Sequence, residues 1–268
     1  MGSQVGELAA HFARRAAGYA TNNSWVNDTE TLMPILGLLQ QKPGGVSFDI
    51  GAGTGAIASA REPSSPDAGR LIGVDISHSM LLQHSRYSPA VVGDAHRLPF
   101  MSGCADFVIC RQSIHYLDFP EMVLAEIGRV LAPDGKLLIA QIVPFEDPDD
   151  QAWWKTAVTL RQPLRRHRWT STELQESLRQ AGFVLESVRN LERRTSMRGW
   201  LDRYSLDSEV RRALLDHFQS ASPHVRELRG FAASPGEIEY SLRWLFITAR
   251  PGDAVTAPGS GSVRGAHG

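Results

Sequence analysis

The run Asp49-Ile50-Gly51-Ala52-Gly53-Thr54-Gly55 constrains this chain more than any other feature. It follows VSFDI (46–50), a short apolar run with strand character, and precedes the helix-compatible AIASA. Glycines between a strand and a helix permit a tight turn and let a ligand approach the backbone closely. Gly51, Gly53 and Ala56 also satisfy the dinucleotide spacing G-x-G-x-x-G/A. Asp75 ends the next strand-like run, RLIGVD (70–75), twenty residues past Gly55 (75 − 55). A carboxylate there can hold ribose hydroxyls; otherwise it caps the helix that follows.

The pattern continues in the same manner. PAVVGD (89–94), ADFVIC (105–110) and GKLLIAQIV (135–143) are short apolar runs bounded by Gly, Pro or Asp. Such runs read as buried parallel strands. Between the last two, Val123, Ile127, Val130 and Leu131 give 121–131 one apolar helical face. Alternating strands and helices with short connections predict a parallel sheet covered on both faces. Upstream, Leu8, Phe12, Ala16 and Tyr19 form one stripe, predicting a single first helix, and 29–40 predicts a second. Downstream, Thr170 and Glu173 stand in capping-box spacing at the start of a helix closing near Gly182. A strand over 184–192, helical material from Arg198 to about Arg229 and a final strand over 238–250 complete the reading. Segments 144–169 and 198–236 fit no sheet position and are expected to be lids. The division expected is a helical cap (1–45), a cofactor-binding domain (46–250) and a disordered Gly/Ser/Ala/Pro-rich tail (251–268).

Asp49 separates two classes of cofactor. A carboxylate at the mouth of the glycine turn repels a pyrophosphate and suits a cationic group. S-adenosylmethionine carries a sulfonium, an ammonium and no phosphate. Asp94, in Gly93-Asp94-Ala95 at the end of the third strand, is a second acid, suited to an adenine amino group.

With D-I-G-A-G-T-G, V-D at 74–75, G-D-A at 93–95 and R-V-L-A-P-D-G-K at 129–136, the chain resembles the class I S-adenosylmethionine-dependent methyltransferases. Within them it is most similar to the family that includes the ubiquinone and menaquinone biosynthesis C-methyltransferases. The resemblance covers about residues 5–145 and beyond that is one of architecture. It implies a doubly wound, mostly parallel α/β sheet of seven strands, the last antiparallel, with helical lid segments. It implies S-adenosyl-L-methionine as cofactor, held by Asp49, Gly51, Ala52, Gly53, Gly55, Asp75, Ile76, Met80, Asp94 and Ala95. Arg111 lies where the family contacts the methionine part, and Tyr19 and Trp25 lie in a segment that often covers the cofactor. Arg111 is alternatively a surface arginine; Met80, Tyr19 and Trp25 are alternatively core.

His115, in QSIHYLDF, is the candidate catalytic residue, since imidazole can accept a proton near neutral pH. It is alternatively a contact to the methionine end or a hydrogen-bonded loop histidine. Arg161, Arg165, Arg166, His167 and Arg168 form the dense basic stretch, read as a solvated loop ahead of a grip on an acidic acceptor. Trp153 and Trp154 either stack on a planar acceptor or pack within a lid.

The expected function is methyl transfer to a small-molecule acceptor, aromatic or polycyclic, of secondary-metabolite or quinone type. The alternatives are a nicotinamide-dependent oxidoreductase on the same kind of sheet and a non-catalytic cofactor-binding partner. Lys and Arg number 28 against 29 Asp and Glu, so the basic surface of a nucleic-acid binder is absent. Two cysteines, Cys104 and Cys110, supply neither a disulfide framework nor a four-ligand zinc site; no metal is expected, and a reducing cytoplasm is the simplest compartment. No apolar run approaches membrane-span length, and MGSQVGELAAHFARR lacks the apolar region of a secretory signal. The acceptor's identity, the atom methylated and the oligomeric state do not follow from sequence.

Overall fold

The computed structural model describes residues 2–22, 25–61, 69–202, 206–235 and 237–252. Among these, eight strands join one sheet: β1 (Val46–Ile50), β2 (Arg70–Asp75), β3 (Ala90–Val92), β4 (Ala105–Arg111), β5 (Leu131–Val143), β6 (Phe183–Ser196), β7 (Ala232–Ser234) and β8 (Glu237–Pro251). The order is β3-β2-β1-β4-β5-β8-β6, with β7 paired to β8. β3, β2, β1, β4 and β5 run parallel; β8 is antiparallel to β5 and β6. The expected seven strands are present with the last one antiparallel, and the short β7 is an addition inside the second expected lid.

Eleven α-helices are described: α1 (Gly2–Ala13), α2 (Tyr19–Asn22), α3 (Thr29–Leu39), α4 (Ala56–Ala60), α5 (His78–His84), α6 (Pro120–Val130), α7 (Pro148–Arg161), α8 (Ser171–Gln180), α9 (Met197–Asp202), α10 (Ser208–Gln219) and α11 (Pro223–Leu228). α8 begins with the full capping box: Thr170 Oγ1 accepts from Glu173 N, and Glu173 accepts from Thr170 N. Gly182 follows in the left-handed region at φ 84°, which stops the helix and turns the chain into β6. α3 starts at Asp28, whose carboxylate accepts from Glu30 N at 3.0 Å.

Side-chain alternation along the central strands feeds two cores. Phe107 and Ile109 of β4 point into one, with Leu32 and Ile35 of α3 and the tryptophans of α7. Val108 and Cys110 point into the other, with Val123 and Ile127 of α6 and Leu174 and Leu178 of α8. Both faces of the sheet are therefore covered, as buried parallel strands require.

Two expectations are corrected. The stripe Leu8-Phe12-Ala16-Tyr19 does not lie on one helix: α1 ends at Ala13, a 3₁₀ turn spans Ala16–Gly18, and α2 starts at Tyr19. Aromatic packing overrides the helical period here. The bend sets Phe12 edge-on to both Tyr19 and Tyr116, with ring centroids 6.2 and 5.2 Å apart. At the other end, the tail does not begin at Pro251. Pro251 pairs with Phe183 and is buried, and Gly252 N donates to Gly182 O at 2.8 Å. Residues 253–268 lie outside the described residues.

The segments expected to be lids form a helical layer. α7 packs against α10 and α11, and α9 against β6 and β8. Arg229, beside α11, pairs with Asp150 of α7 through two hydrogen bonds, both side chains fully buried. The guanidinium lies 4.8 Å from the ring centroids of both Trp153 and Trp154.

Candidate functional site

In this topology the chain leaves β1 in one direction and β4 in the other. Their carboxyl ends therefore border a crevice, the place where open α/β sheets bind ligands. A cavity of about 900 Å³ occupies it. Its floor is Asp49, Ile50, Gly51, Ala52, Gly53 and Thr54; Val74, Asp75, Ile76, Met80, Gly93 and Ala95 form one wall. Phe12, Tyr19, Trp25 and Val26 cover it from the N-terminal segment, and Arg111, Gln112 and Tyr116 close the opposite side.

The glycines are required by conformation and by space. Gly51, Gly53 and Gly55 have φ of 73°, 55° and 86°, values that side chains adopt only at a cost. A Cβ on Gly51 would overlap Ser113, whose hydroxyl donates to Ile50 O at 2.7 Å. Gly55 does not line the cavity; it packs against His84, as does Gly73, and so lets α5 approach the loop.

Asp75 braces this loop. Its carboxylate accepts from Gly53 N at 2.9 Å and from Ser77 N at 2.8 Å. Burial raises its pKa, and those amides oppose the rise. Each oxygen keeps a second lone pair for a ligand hydroxyl. Asp49 is buried at the end of β1. Burial pushes its pKa to about 7, with the Asp75 charge adding and the Arg111 charge opposing.

Asp94 stands apart from this cavity. Its Oδ1 accepts from His96 N and sits 2.6 Å from His96 Nδ1, and it lines a small side pocket under α1 instead. Gly93 and Ala95, its neighbours, do line the main cavity. Arg111 is not a surface arginine. It is buried, and it donates to Val26 O at 2.9 Å, Trp25 O at 2.6 Å and Thr31 Oγ1 at 2.9 Å. The rings of Trp25 and Trp244 flank it at 4.9 and 5.4 Å. Arg111 thus ties the covering segment to the sheet, and it reaches the cavity as part of that clamp.

A second cavity of about 510 Å³ shares Tyr19, Trp25, Gln112 and Tyr116 with the first. His115 lines this one and not the first. Its Nδ1 lies 2.9 Å from Gln141 Oε1, while Gln141 Nε2 donates to Ile142 O. That network assigns the proton to Nδ1 and a lone pair to Nε2. Nε2 is buried and has no hydrogen-bond partner. Burial holds the imidazole pKa well below its ordinary value, with the charge of Arg165 acting in the same direction. The neutral imidazole held in this way presents an acceptor at Nε2.

Gln141 escaped the sequence reading. Its signal was present: one amide in the middle of the apolar run LLIAQIV. Ser113 also escaped it, since only the contact with Gly51 gives it meaning. The solvated-loop expectation fails for two of the basic residues. Arg161 and Arg165 are buried and line the second cavity, whereas Arg166 is exposed and pairs with Asp118. Trp153 is core beside Arg229; Trp154 lines the second cavity. Among the described residues Asp147, Asp149 and His224 have metal-ligand spacing, and none of them lines either cavity.

Residues 48–139 match the family model of a methyltransferase domain. The ubiquinone/menaquinone biosynthesis C-methyltransferase UbiE of Paraburkholderia phytofirmans is 32% identical over 114 residues, 40% of this chain and 47% of that protein. The chain thus spans about half the length of this curated relative. YcgJ of Bacillus subtilis, an uncharacterized methyltransferase, is 25% identical over 188 residues, 67% of this chain and 73% of the relative. Its crystal structure superposes with a TM-score of 0.75, covering 84% of this chain and 99% of the other. The geranyl diphosphate C-methyltransferase of Streptomyces coelicolor, solved with S-adenosyl-L-homocysteine, shares the fold at a TM-score of 0.55 and 17% identity, over 83% of this chain and 77% of that one. Glycine turn, strand order and domain match agree: residues 48–139 match a methyltransferase domain, and the sheet has the fold of solved methyltransferase structures.

Proposed function

We propose that this protein transfers a methyl group from S-adenosylmethionine to a small, planar organic acceptor. The observation that carries the reading is Asp49, a buried carboxylate at the mouth of a glycine turn. A pyrophosphate placed there meets like charge in a medium that screens poorly, whereas an ammonium or sulfonium meets its counterion. When bound, S-adenosylmethionine supplies an electrophilic methyl on a leaving group that is already good.

The residues of the chain then have defined tasks. Asp75 offers its remaining lone pairs to ribose hydroxyls while it holds Gly53 and Ser77 in place. Ile76, Met80 and Ala95 give an apolar wall for a purine. Asp94, held on His96 through Oδ1, keeps Oδ2 for an adenine amino group. Trp25, clamped by Arg111, and Tyr19 beside it cover the cavity and exclude water. Exclusion and alignment are the main contribution, because oriented reactants carry large effective molarities. His115, fixed by Gln141, is the base for an acceptor that must lose a proton.

Calorimetric titration with S-adenosylhomocysteine and with NAD tests the reading. The expected order is S-adenosylhomocysteine at least about tenfold tighter, from the charge argument above. The reverse order returns the site to the nicotinamide class. Release of S-adenosylhomocysteine in the presence of an acceptor separates an enzyme from a non-catalytic binding partner.

A further inference from the structure

We propose that the second cavity holds an acceptor whose hydroxyl is conjugated to a carbonyl on a planar ring system, and that His115 receives the proton of that hydroxyl as its oxygen is methylated. This acceptor class presupposes the methyltransferase reading above.

The hydrogen-bonding demand of the cavity is specific. His115 Nε2 presents a lone pair and no proton, so its partner must be a donor. Gln112 Nε2 presents N–H groups and is likewise buried without a partner, so its partner must be an acceptor. Gln112 lines both cavities, at the wall between them. It is also one of two non-glycine residues described with positive φ, at 54°, held there while its backbone N–H donates to Ala140 O at 2.9 Å. Buried polar atoms left unmade are costly, and such atoms in a native cavity call for a ligand that completes them. One hydroxyl and one carbonyl on the same molecule complete both.

The remaining walls set shape and charge. Trp25, Trp154, Trp200 and Tyr116 offer aromatic surfaces, and Ile142, Val158 and Leu242 fill between them. Flat rings suit such walls better than branched chains. Arg161 and Arg165 bring two buried guanidinium groups to the lining. Positive charge favours an acceptor that carries partial anionic character at its oxygen.

Acidity follows from the weakness of the base. His115 is buried and lies near the Arg165 charge, so it takes a proton reluctantly. An ordinary alcohol would not yield its proton to such a group; a hydroxyl conjugated to a carbonyl yields it readily. The step then balances. The O–H proton passes to Nε2, the oxygen lone pair forms the new O–CH₃ bond, and the pair of the broken S–CH₃ bond stays on sulfur as a neutral thioether. One base with one lone pair suffices for oxygen, whereas methylation of a ring carbon leaves a second proton to be removed.

The test uses the full chain saturated with S-adenosylhomocysteine. Trp25, Trp154 and Trp200 line the cavity, so their fluorescence reports occupancy. 7-Hydroxycoumarin, with both groups and a phenolic hydroxyl that keeps its proton at pH 6, is compared at that pH with coumarin, which lacks the hydroxyl. 7-Hydroxycoumarin is expected to bind roughly tenfold tighter or better, the scale of one buried hydrogen bond. His115→Leu should abolish that preference. Gln112→Asn, which tolerates positive φ and shortens the donor, should weaken 7-hydroxycoumarin severalfold, measured at saturating S-adenosylhomocysteine because Gln112 also borders the first cavity. With S-adenosylmethionine, mass spectrometry should find the methyl ether. Equal affinity for the two coumarins, or a preference retained in both variants, overturns the acceptor class. A product methylated on carbon overturns the oxygen assignment. Failure of S-adenosylhomocysteine to bind wild type instead removes the methyltransferase reading itself.

Discussion

From β1 to β4 the floor of the first cavity is set by backbone: Gly51, Ala52, Gly53 and the loop held by Asp75. Beyond β5 the second cavity is walled by side chains drawn from distant segments, Trp154 and Arg161 of α7, Trp200 of α9 and Leu242 of β8. The first region is shaped by residues a few positions apart, which must satisfy φ and close approach. The second is shaped by packing, in which many combinations of side chains fill the same space. A site floored by backbone is therefore rigid in what it accepts there, and a side-chain-walled site is free to change its ligand on an unchanged sheet.

The largest expected effect tests whether the two regions are separable. Asp150 and Arg229 are both fully buried, and Arg229 lies against Trp153, Trp154 and Phe145. Asp150→Asn leaves a buried guanidinium without its counter-charge, a change that costs about 3–5 kcal/mol. Chemical denaturation should record that loss, and the near-ultraviolet signal of the tryptophans should change. S-adenosylhomocysteine affinity of the folded variant should stay within about twofold, given sites without shared partners. A large loss of cofactor affinity would show that the helical layer organises both cavities.

The next effect belongs to the backbone-floored region. Gly51→Ala meets Ser113 and must hold φ near 73°. Strain and overpacking together should cost about 2–4 kcal/mol. Adding Ser113→Gly removes the overlap and leaves the strain, so the double variant should recover part of the stability. If Gly51→Ala alone is neutral, the loop is more pliant than its three positive φ values imply.

The legibility of the chain divides along the same line. The strands 46–50, 70–75 and 105–110 and the helix at 121–131 were read within a residue or two, because burial on both faces leaves an apolar run that nothing else explains. Asp49 and Asp75 were legible through their spacing from the glycines. The bend after Ala13 was not, because it serves the contact of Phe12 with Tyr116, over a hundred residues away in sequence. Arg161 and Arg165 looked like a solvated basic run because charge patterning carries no sign of burial. The tautomer of His115 depends on Gln141, a partner set by strand register alone.

The smallest effect, and the one that bears most directly on cofactor choice, is the titration of Asp49. Its pKa is raised to about 7 by burial. In the unfolded chain a carboxyl ionises near 4. Between these values the unfolded state holds fewer protons than the native state, so Asp49 makes the free protein less stable as pH rises from about 4 to 7. A cationic ligand reverses the preference, because it binds the ionised form. Affinity for S-adenosylmethionine should therefore climb with pH below about 7 and level off above it. One pH unit on the steep limb is worth up to about 1.4 kcal/mol, or tenfold. Binding at pH 6 should release a proton, visible as a dependence of the calorimetric enthalpy on buffer. Asp49→Asn keeps the shape and removes the charge. The free variant should melt higher than wild type at pH 8, while its affinity for S-adenosylmethionine falls and loses its pH dependence. If the variant instead binds as well as wild type at every pH, the cation is held elsewhere, and the backbone of the glycine turn would be the whole of the site.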